Sequence, residues 1–496
     1  MKKLLIILTV LLVVGSSCSD FLTVNEKNPN QASSVPANLI LPSALNTTAS
    51  ALTTPGNFAW IYEWYGCWAI SGGYSQDANM TAYNVLNSFN QQNWSNAYIV
   101  MANYDYIEKN STAPDQRAFR AIAKIMKSMH FAMLVDIYGN IPYSEALQSG
   151  TGILKPKYDP QADVYKNVLI ELDTAMALIN KIPATAEDPG AHDIVFHGDM
   201  TKWWKFANTI KLRMLLNMSY NSSLAAQVTA AIATTPHSSA DYLGAGEGAM
   251  SNPGYAQSTG KMNPFYERFY KQDASQQADG LGYFVPSQDA CDFLNANNDP
   301  RRLLLFAPYS GTLIQGNYFG AALLNLPSVT SKLGTGMVKT FNADSPILTD
   351  FESLFLQAEG VEKGLVTGDE KALYEAAVTQ SIIYEGSNAA AAGVYLSQVG
   401  NTNTSYDAAT DKIKLIITQK WLALNGVSAM PIWNDWRKTG YPNFIHWSAD
   451  QLKLNLTPPV RLLYPQSEIS TNNDNVLLQG TIDTFKSKIF WMPTTK

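Results

Sequence analysis

The apolar residues of this chain recur every three to four positions over long stretches, the spacing that places them on one face of an α-helix. The clearest case is the stretch 114–138, which starts at Pro114 and stops before Gly139. The same period predicts further helices at 161–180, 199–220, 348–363, 369–385 and 408–425. Strand-like alternation is hard to find, so the sequence predicts a mainly α fold.

Two of these stretches, 348–363 and 369–385, follow each other closely and predict a helical hairpin. The second stretch contains Ala372, Ala376 and Ala377, small residues that let two helices approach each other closely. Such hairpins are typical of tetratricopeptide-like arrays, although the chain shows no clean repeat period. We therefore expect a diverged array of helical hairpins as the scaffold.

The helical period disappears between 237 and 345, where the composition shifts to Gly, Asn, Pro and Ser. Irregular segments of this length are functional more often than connective. The predicted organisation is a first helical segment at 18–236, a loop-rich insertion at 237–345, helical hairpins completing the scaffold at 346–440, and an irregular C-terminal segment at 441–496. We expect the last segment to pack on the scaffold.

The surface of the protein is predicted to be polar but weakly charged. Charged residues make up only 15% of the chain, aromatic residues make up 11%, and the formal net charge is −6. This balance gives no basic surface for nucleic acid. Asn, Gln, Ser and Thr supply much of the polarity, so we expect a neutral, hydrogen-bonding ligand.

The N-terminus has the pattern of an export signal. Two lysines precede the apolar stretch 4–14, whose only polar residue is Thr9. A stretch this short cannot cross a membrane, which needs about 20 helical residues, so 1–17 is predicted to be a cleaved signal peptide. Cys18 follows small residues, as at the cleavage site of bacterial lipoproteins. We expect Cys18 to carry lipid, such as palmitate; an incidental cysteine beside an ordinary cleavage site is the alternative.

The sequence contains no recognisable catalytic or metal-binding motif. None of its five histidines forms an HExxH pair, and the nucleophile-elbow and phosphate-loop patterns are absent. Cys67 and Cys291 lie far apart and outside any CxxC motif, so we expect two buried free cysteines, with a disulfide as the alternative. We predict no enzyme activity, no cofactor and no metal.

The segment 58–68 is rich in aromatic residues, and its tryptophans recur every fourth position, on one stripe of a helix. One interpretation is core packing. The other is a pocket, because aromatic faces stack on sugar rings while Asn and Tyr tips bond to hydroxyl groups. The candidate ligand contacts of this pocket are Trp60, Trp64, Trp68, Tyr74, Asn79 and Tyr83.

Short motifs along the whole chain, taken in their order, resemble the SusD/RagB family of outer-membrane nutrient-binding lipoproteins. They are CSDFL at 18–22, DIYGNIPY at 136–143 with Glu145 and Ala146, His197-Gly198-Asp199 before Trp203 and 206–208, Ser345-Pro346 with Ala358 and Glu359, QKW at 419–421, WNDWRKTGYP at 433–442, RLLYP at 461–465 with Glu468, and Phe490-Trp491. Their common order along the chain is what makes the resemblance specific.

This resemblance implies a SusD-like fold, in which tetratricopeptide-like hairpins form the scaffold and a loop-rich half carries the ligand surface. It also implies a lipid-anchored protein of the outer membrane, facing the cell exterior, that caps a SusC-like TonB-dependent barrel transporter. Such a protein delivers glycans, or in some relatives peptides, to that transporter. The motifs themselves resemble scaffold, so no ligand contact is carried over from the family.

Two other classes of function remain open at the level of sequence. One is an outer-membrane glycoside hydrolase, which needs two suitably placed carboxylates. Asp435, between Trp433 and Trp436, is the most suggestive acid because aromatic surroundings can raise a carboxyl pKa. Its alternative role is structural, bonded to the backbone or to Arg437. The other class is a structural or adhesive surface protein.

Overall fold

The computed structural model describes residues 35–494. The predicted signal peptide at 1–17, the predicted lipid attachment site Cys18 and the polar stretch 25–34 lie outside the described residues. Among residues 35–494, no helix combines the length and the apolarity that crossing a membrane requires.

The described part of the chain is mainly α, as predicted. Its helices in the first half are α1 (Ala37–Thr53), α2 (Pro55–Trp64), α3 (Ala78–Thr81), α4 (Gln92–Asn110), α5 (Arg117–Tyr138), α6 (Gln161–Ile179), α7 (Met200–Ser219) and α8 (Ala225–Ala233). Those that follow are α9 (Pro264–Phe269), α10 (Gln288–Ala296), α11 (Arg302–Leu305), α12 (Asp350–Glu362), α13 (Glu370–Tyr384), α14 (Ala389–Leu396), α15 (Lys412–Ala423), α16 (Ala429–Thr439), α17 (Gln466–Thr471) and α18 (Asn473–Leu477).

The six helices expected from the apolar period are all present, and local capping fixes several of their ends. Helix α7 begins where the Asp199 side chain accepts hydrogen bonds from the N–H groups of Thr201 and Lys202, at 3.0 and 3.1 Å. Helix α5 ends at Gly139, whose φ of 76° suits a residue without a Cβ. Side-chain caps and a terminal glycine thus define where these helices begin and end, which the spacing of apolar residues alone does not.

The scaffold is built from consecutive helices that pack side by side. Helix α5 lies between α4 and α6, α6 also packs on α7, and α12 packs on α13, α15 and α7. Most of the α5 residues are buried, because its apolar residues cover more than one face of the helix. These neighbours form the predicted hairpins, and α12 joins the C-terminal set to the N-terminal one.

Short strands connect the insertion to the scaffold. β2 (Ala249–Ser251) pairs with β6 (Ser345–Leu348) in antiparallel register, so the residues between them leave and re-enter the scaffold at one place. β1 (Trp68–Ile70) pairs with β3 (Phe284–Pro286), and β4 (Phe306–Ala307) pairs with β5 (Lys332–Leu333). The β1–β3 pair brings the segment after α2 against the middle of the insertion.

Candidate ligand-binding face

Three of the six predicted contact residues are buried tryptophans, but the predicted helical stripe ends at Trp64, because Trp68 lies beyond α2 in strand β1. Trp60, Trp64 and Trp68 are each at most 2% exposed. The ring centroids of Trp60 and Trp64 lie 4.7 Å apart, and that of Trp60 lies 4.9 Å from Trp433 of α16. The Trp68 indole N–H donates to Asn425 Oδ1 at 2.8 Å. The structure therefore supports the core-packing interpretation for these rings, which offer a ligand no surface.

Tyr83 is also part of the core. Its side chain is fully buried, its ring meets Trp64 edge-on at 5.6 Å, and its hydroxyl oxygen accepts the Ser448 backbone N–H at 2.8 Å. Burial raises the pKa of this hydroxyl above its ordinary value. Tyr83 thus ties the C-terminal segment to α2 and is not available to a ligand.

Tyr74 and Asn79 lie at the surface. Tyr74 is half-buried, and its ring stands edge-on to Tyr283 with centroids 5.3 Å apart and planes at 88°. Asn79 is exposed on the short helix α3, and its Oδ1 accepts a hydrogen bond from Asn84 Nδ2 at 2.8 Å. Of the six candidates, these two remain predicted ligand contacts.

Strand pairing and one obligatory glycine position Tyr74. Beyond the β1–β3 pair, the Ser71 N–H donates to the Tyr283 carbonyl at 3.1 Å and the Gly72 N–H donates to the Asn325 carbonyl at 2.7 Å. A Cβ on Gly72 would lie 2.5 Å from the Leu324 carbonyl oxygen, so only glycine allows this approach. The segment after β1 is therefore held against two parts of the insertion.

These contacts create a surface that we call the loop face, formed by residues 72–79, 281–283 and 321–326. It carries the Tyr74–Tyr283 pair together with leucines that are 51% exposed at Leu281, 94% at Leu323 and 54% at Leu326. Exposed apolar side chains of this size beside polar tips are typical of binding surfaces. The loop face can therefore contact the apolar side of a ligand while tyrosine and asparagine bond to its polar groups.

A neutral carboxyl group lies beneath this face. Glu63 of α2 is 4% exposed, and burial, with a further contribution from Asp77, raises its pKa to about 8. Glu63 in turn contributes, after burial, to raising the pKa of Tyr283, so the two groups are electrostatic neighbours. Glu63 is therefore protonated at neutral pH and adds no negative charge to the floor of the face.

Sequence reasoning did not find Tyr283, Leu323 or Leu326. They lie more than two hundred positions from Tyr74, in the insertion. Tyr283 is brought to it by strands of three residues each, and the two leucines by the hydrogen bond from Gly72 to the Asn325 carbonyl. Strands that short leave no alternating pattern in the sequence. The available signal was the change of composition at 237–345, which indicates a functional region without marking individual residues.

The acid singled out for catalysis has a structural role. Asp435 is 3% exposed, and its two carboxylate oxygens lie 3.0 Å from Lys438 Nζ and 3.0 Å from Lys420 Nζ. Burial alone would raise its pKa, but the two lysines hold the pKa below its ordinary value. The expectation of a raised pKa is therefore wrong, and the structural alternative holds with lysines, rather than Arg437, as partners.

Other chemistry is not evident in the described chain. Cys67 and Cys291 are both buried and free, as expected, and burial raises the pKa of each thiol. Within residues 35–494, no group of three or more His, Cys, Asp or Glu side chains is arranged to hold a metal ion.

Solved structures share this architecture over almost the entire chain. One, described as a chitin-binding protein, is 23% identical and covers 92% of this chain and 100% of its own, with a TM-score of 0.71. A SusD homologue from Bacteroides uniformis is 22% identical, with coverages of 91% and 99% and a TM-score of 0.73. Another from Bacteroides fragilis is 19% identical, with coverages of 93% and 100% and a TM-score of 0.72. The fold is therefore that of the SusD-like class.

The family follows from the sequence match. A family model, SusD-like_2, described as "Starch-binding associating with outer membrane", matches residues 29–465, and the chain belongs to this family. No curated protein matches the chain. SusD-like proteins are binding proteins associated with the outer membrane.

Proposed function

We propose that this protein is a surface lipoprotein that binds an oligomeric nutrient, a neutral glycan, on the loop face. The observation that carries the proposal is the match of residues 29–465 to a family described as starch-binding. The half-buried Tyr74–Tyr283 pair supports it, because tyrosine rings stack on sugar rings and their hydroxyls bond to sugar hydroxyls. The neutral Glu63 below the face supports a ligand without charge.

The test is a screen of the chain from Ser19 to Lys496 against glycans and peptides, with starch and chitin oligosaccharides included. We expect binding of an oligosaccharide that remains chemically intact after long incubation. Tyr74→Ala should weaken binding, whereas Tyr106→Ala, a half-buried tyrosine on the scaffold helix α4, should not. Binding of peptides alone would contradict the glycan assignment, and release of shorter sugars would favour a hydrolase.

We further propose that the protein is anchored through lipid on Cys18 and delivers its ligand to a SusC-like TonB-dependent barrel transporter that it caps. A binding protein held by a lipid needs a separate channel to move its ligand across the membrane. Enclosing the ligand between two proteins also buries more of its surface than either can alone. The polar stretch 25–34 can serve as the leash of such a cap.

The partner is tested by affinity purification from native outer membranes with a tag after Lys496. We expect a barrel transporter to copurify under detergents that preserve other membrane complexes. Recovery of the protein alone under those conditions would contradict the capping model and leave a stand-alone surface binder.

A further inference from the structure

A second concave surface lies between helix α1 and the insertion. This surface, which we call the α1 groove, encloses about 460 Å³. Its scaffold wall consists of Asn46 and Ser50 on one side of α1 and of Thr54, the residue directly after the helix. Its opposite wall includes Tyr255 and Gln277 of the insertion. Uncharged polar side chains make up half of its lining, and they can form hydrogen bonds with a ligand that has many hydroxyls.

The scaffold wall repeats hydrogen-bonding groups along a line. Residues four apart on a helix share a face and are separated by about 6 Å along its axis. Thr54 continues this spacing, because its N–H donates to the Ser50 carbonyl at 3.0 Å, so Asn46, Ser50 and Thr54 span about 12 Å. All three are half-buried, and within residues 35–494 the hydroxyls of Ser50 and Thr54 make no hydrogen bond. A ligand that repeats hydroxyls along its length can therefore meet them in succession, whereas a single small sugar cannot.

The opposite wall presents an aromatic ring whose position is fixed. The Tyr255 hydroxyl lies 2.9 Å from Ser345 Oγ and 3.3 Å from Asn46 Oδ1, so the half-buried ring is held between α1 and β6. A ring already held in place loses little conformational freedom when a sugar stacks on it. The groove thus combines one stacking surface with a row of hydroxyls.

The charged side chains of the groove already have partners. Glu267 Oε1 accepts the Gly260 N–H at 2.5 Å, and Arg268 Nε donates to the buried Asp279 at 2.5 Å. An ionic ligand would have to compete with these bonds. A neutral ligand leaves them in place, so the electrostatics of the groove favour the same chemical class as the loop face.

The turn at residues 277–281 connects the groove to the loop face. The Leu281 N–H donates to the Gln277 carbonyl at 2.9 Å, so the residue on the groove wall and the exposed leucine of the loop face are held together. Arg268 and Asp279 also lie close enough to Tyr283 to influence its pKa, after the larger effects of burial and Glu63. One extended ligand can therefore pass from one surface to the other.

We propose that the α1 groove is a second subsite for the oligosaccharide that binds the loop face. The inference rests on the proposed function and adds to it: the ligand is an extended neutral glycan, and its outer units occupy the groove. Short fragments of the same glycan bind the loop face alone. Chain length, rather than the identity of a single sugar, is then what the groove recognises.

The test compares long and short probes on matched variants of the Ser19–Lys496 chain. The probes are maltoheptaose against maltotriose, and chitohexaose against chitotriose, measured by isothermal titration calorimetry. Ser50→Trp fills the groove, and Thr54→Val removes one hydroxyl with little change of shape. Ser43→Trp is the control, because Ser43 lies two turns earlier on α1, is exposed, and does not line the groove.

We expect the wild type to bind a long probe more tightly than its short fragment. Ser50→Trp should lower the affinity for the long probe about tenfold, the equivalent of one or two lost hydrogen bonds, and leave the short probe unaffected. Thr54→Val should also lower the affinity for the long probe, by a smaller factor. This second variant keeps the test valid if Ser50→Trp is unstable. Ser43→Trp should behave as the wild type.

The possible failures are distinguishable. Equal affinity of the wild type for long and short probes, or unchanged long-probe binding in folded Ser50→Trp and Thr54→Val, overturns the groove subsite and leaves the proposed glycan function intact. Failure of the folded wild type to bind either long probe overturns the subsite together with starch and chitin as ligands.

Discussion

A cluster of four buried charges joins α12, α15 and α16, and removing one of them should destabilise the protein strongly. Lys420 and Lys438 each contact Asp435, Lys438 Nζ also lies 2.6 Å from Glu359 Oε1, and all four side chains are at most 5% exposed. The two positive charges of the lysines balance the two negative charges of the carboxylates. Asp435→Asn keeps the shape of the side chain but leaves one positive charge uncompensated in the interior.

The magnitude follows from the geometry. At an effective dielectric constant of about 20, each 3.0 Å contact contributes about 5.5 kcal/mol of attraction, and the two contacts of Asp435 together about 11 kcal/mol. The cost of removing the carboxylate from water cancels several kcal/mol of this sum. We therefore expect Asp435→Asn to lower the free energy of unfolding by about 3–5 kcal/mol, the range for breaking a buried ion pair.

Urea unfolding followed by tryptophan fluorescence measures this change. The matched control is Asp407→Asn, whose ion pair with Lys371 is at the surface, with side chains 72% and 42% exposed, and which should change stability far less. Removing one charge of each sign, as in Asp435→Asn with Lys438→Met, should recover part of the loss. Equal stability of Asp435→Asn and wild type would show that the buried ion pairs of Asp435 do not stabilise the fold.

The same cluster has a defined pH dependence. Because the folded-state pKa of Asp435 lies below its unfolded value of about 3.9, its contribution is present above that pH and is lost as the pH falls through the folded pKa. The difference in stability between wild type and Asp435→Asn should therefore be constant near neutral pH and shrink in acid. A difference that grows in acid would contradict the lowered pKa.

Three further predictions concern single residues. Tyr74→Ala should weaken binding of the best glycan from the screen about tenfold without changing the melting temperature. Trp64→Ala, which removes a core ring, should instead lower the free energy of unfolding by about 3–5 kcal/mol. Calorimetry measures both effects, and normal glycan binding by Tyr74→Ala would exclude Tyr74 from the site. Glu63 keeps its proton up to about pH 8 in the folded protein but ionises at about pH 4.3 in the unfolded chain, so wild-type stability should fall as the pH rises between these values. Glu63→Gln should lessen that fall, as measured by urea unfolding at several pH values. The same dependence of stability on pH in both proteins would show that Glu63 is charged in the fold. Cys18→Ser should remove the protein from the outer-membrane fraction, and undiminished fractionation there would contradict lipid attachment.

The scaffold could be predicted where the sequence is clearly amphipathic. Helix α6 is predicted at 161–180 and observed at Gln161–Ile179, because its apolar spacing is regular. Helix α4 was missed because its sequence is rich in Asn and Tyr, which are weak helix formers. Packing of Trp94, Val100 and Met101 into the core stabilises it instead, and a window of sequence does not contain that information.

The candidate site could be predicted only in part, for a related reason. Spacing of four residues puts Trp60 and Trp64 on one stripe but does not say whether the stripe faces the core or a pocket. Here Trp433 covers it, a contact between residues nearly 400 positions apart in the chain. The insertion was marked by composition, yet Tyr283 could not be paired with Tyr74 before the β1–β3 register was known.

The central claim, glycan binding at the loop face, is tested most directly by a crystal structure of the Ser19–Lys496 chain with the best oligosaccharide from the screen. We expect a sugar unit against the Tyr74–Tyr283 pair, with the buried tryptophans Trp60 and Trp64 unchanged. A glycan bound on another side of the protein, with the loop face empty, would contradict it.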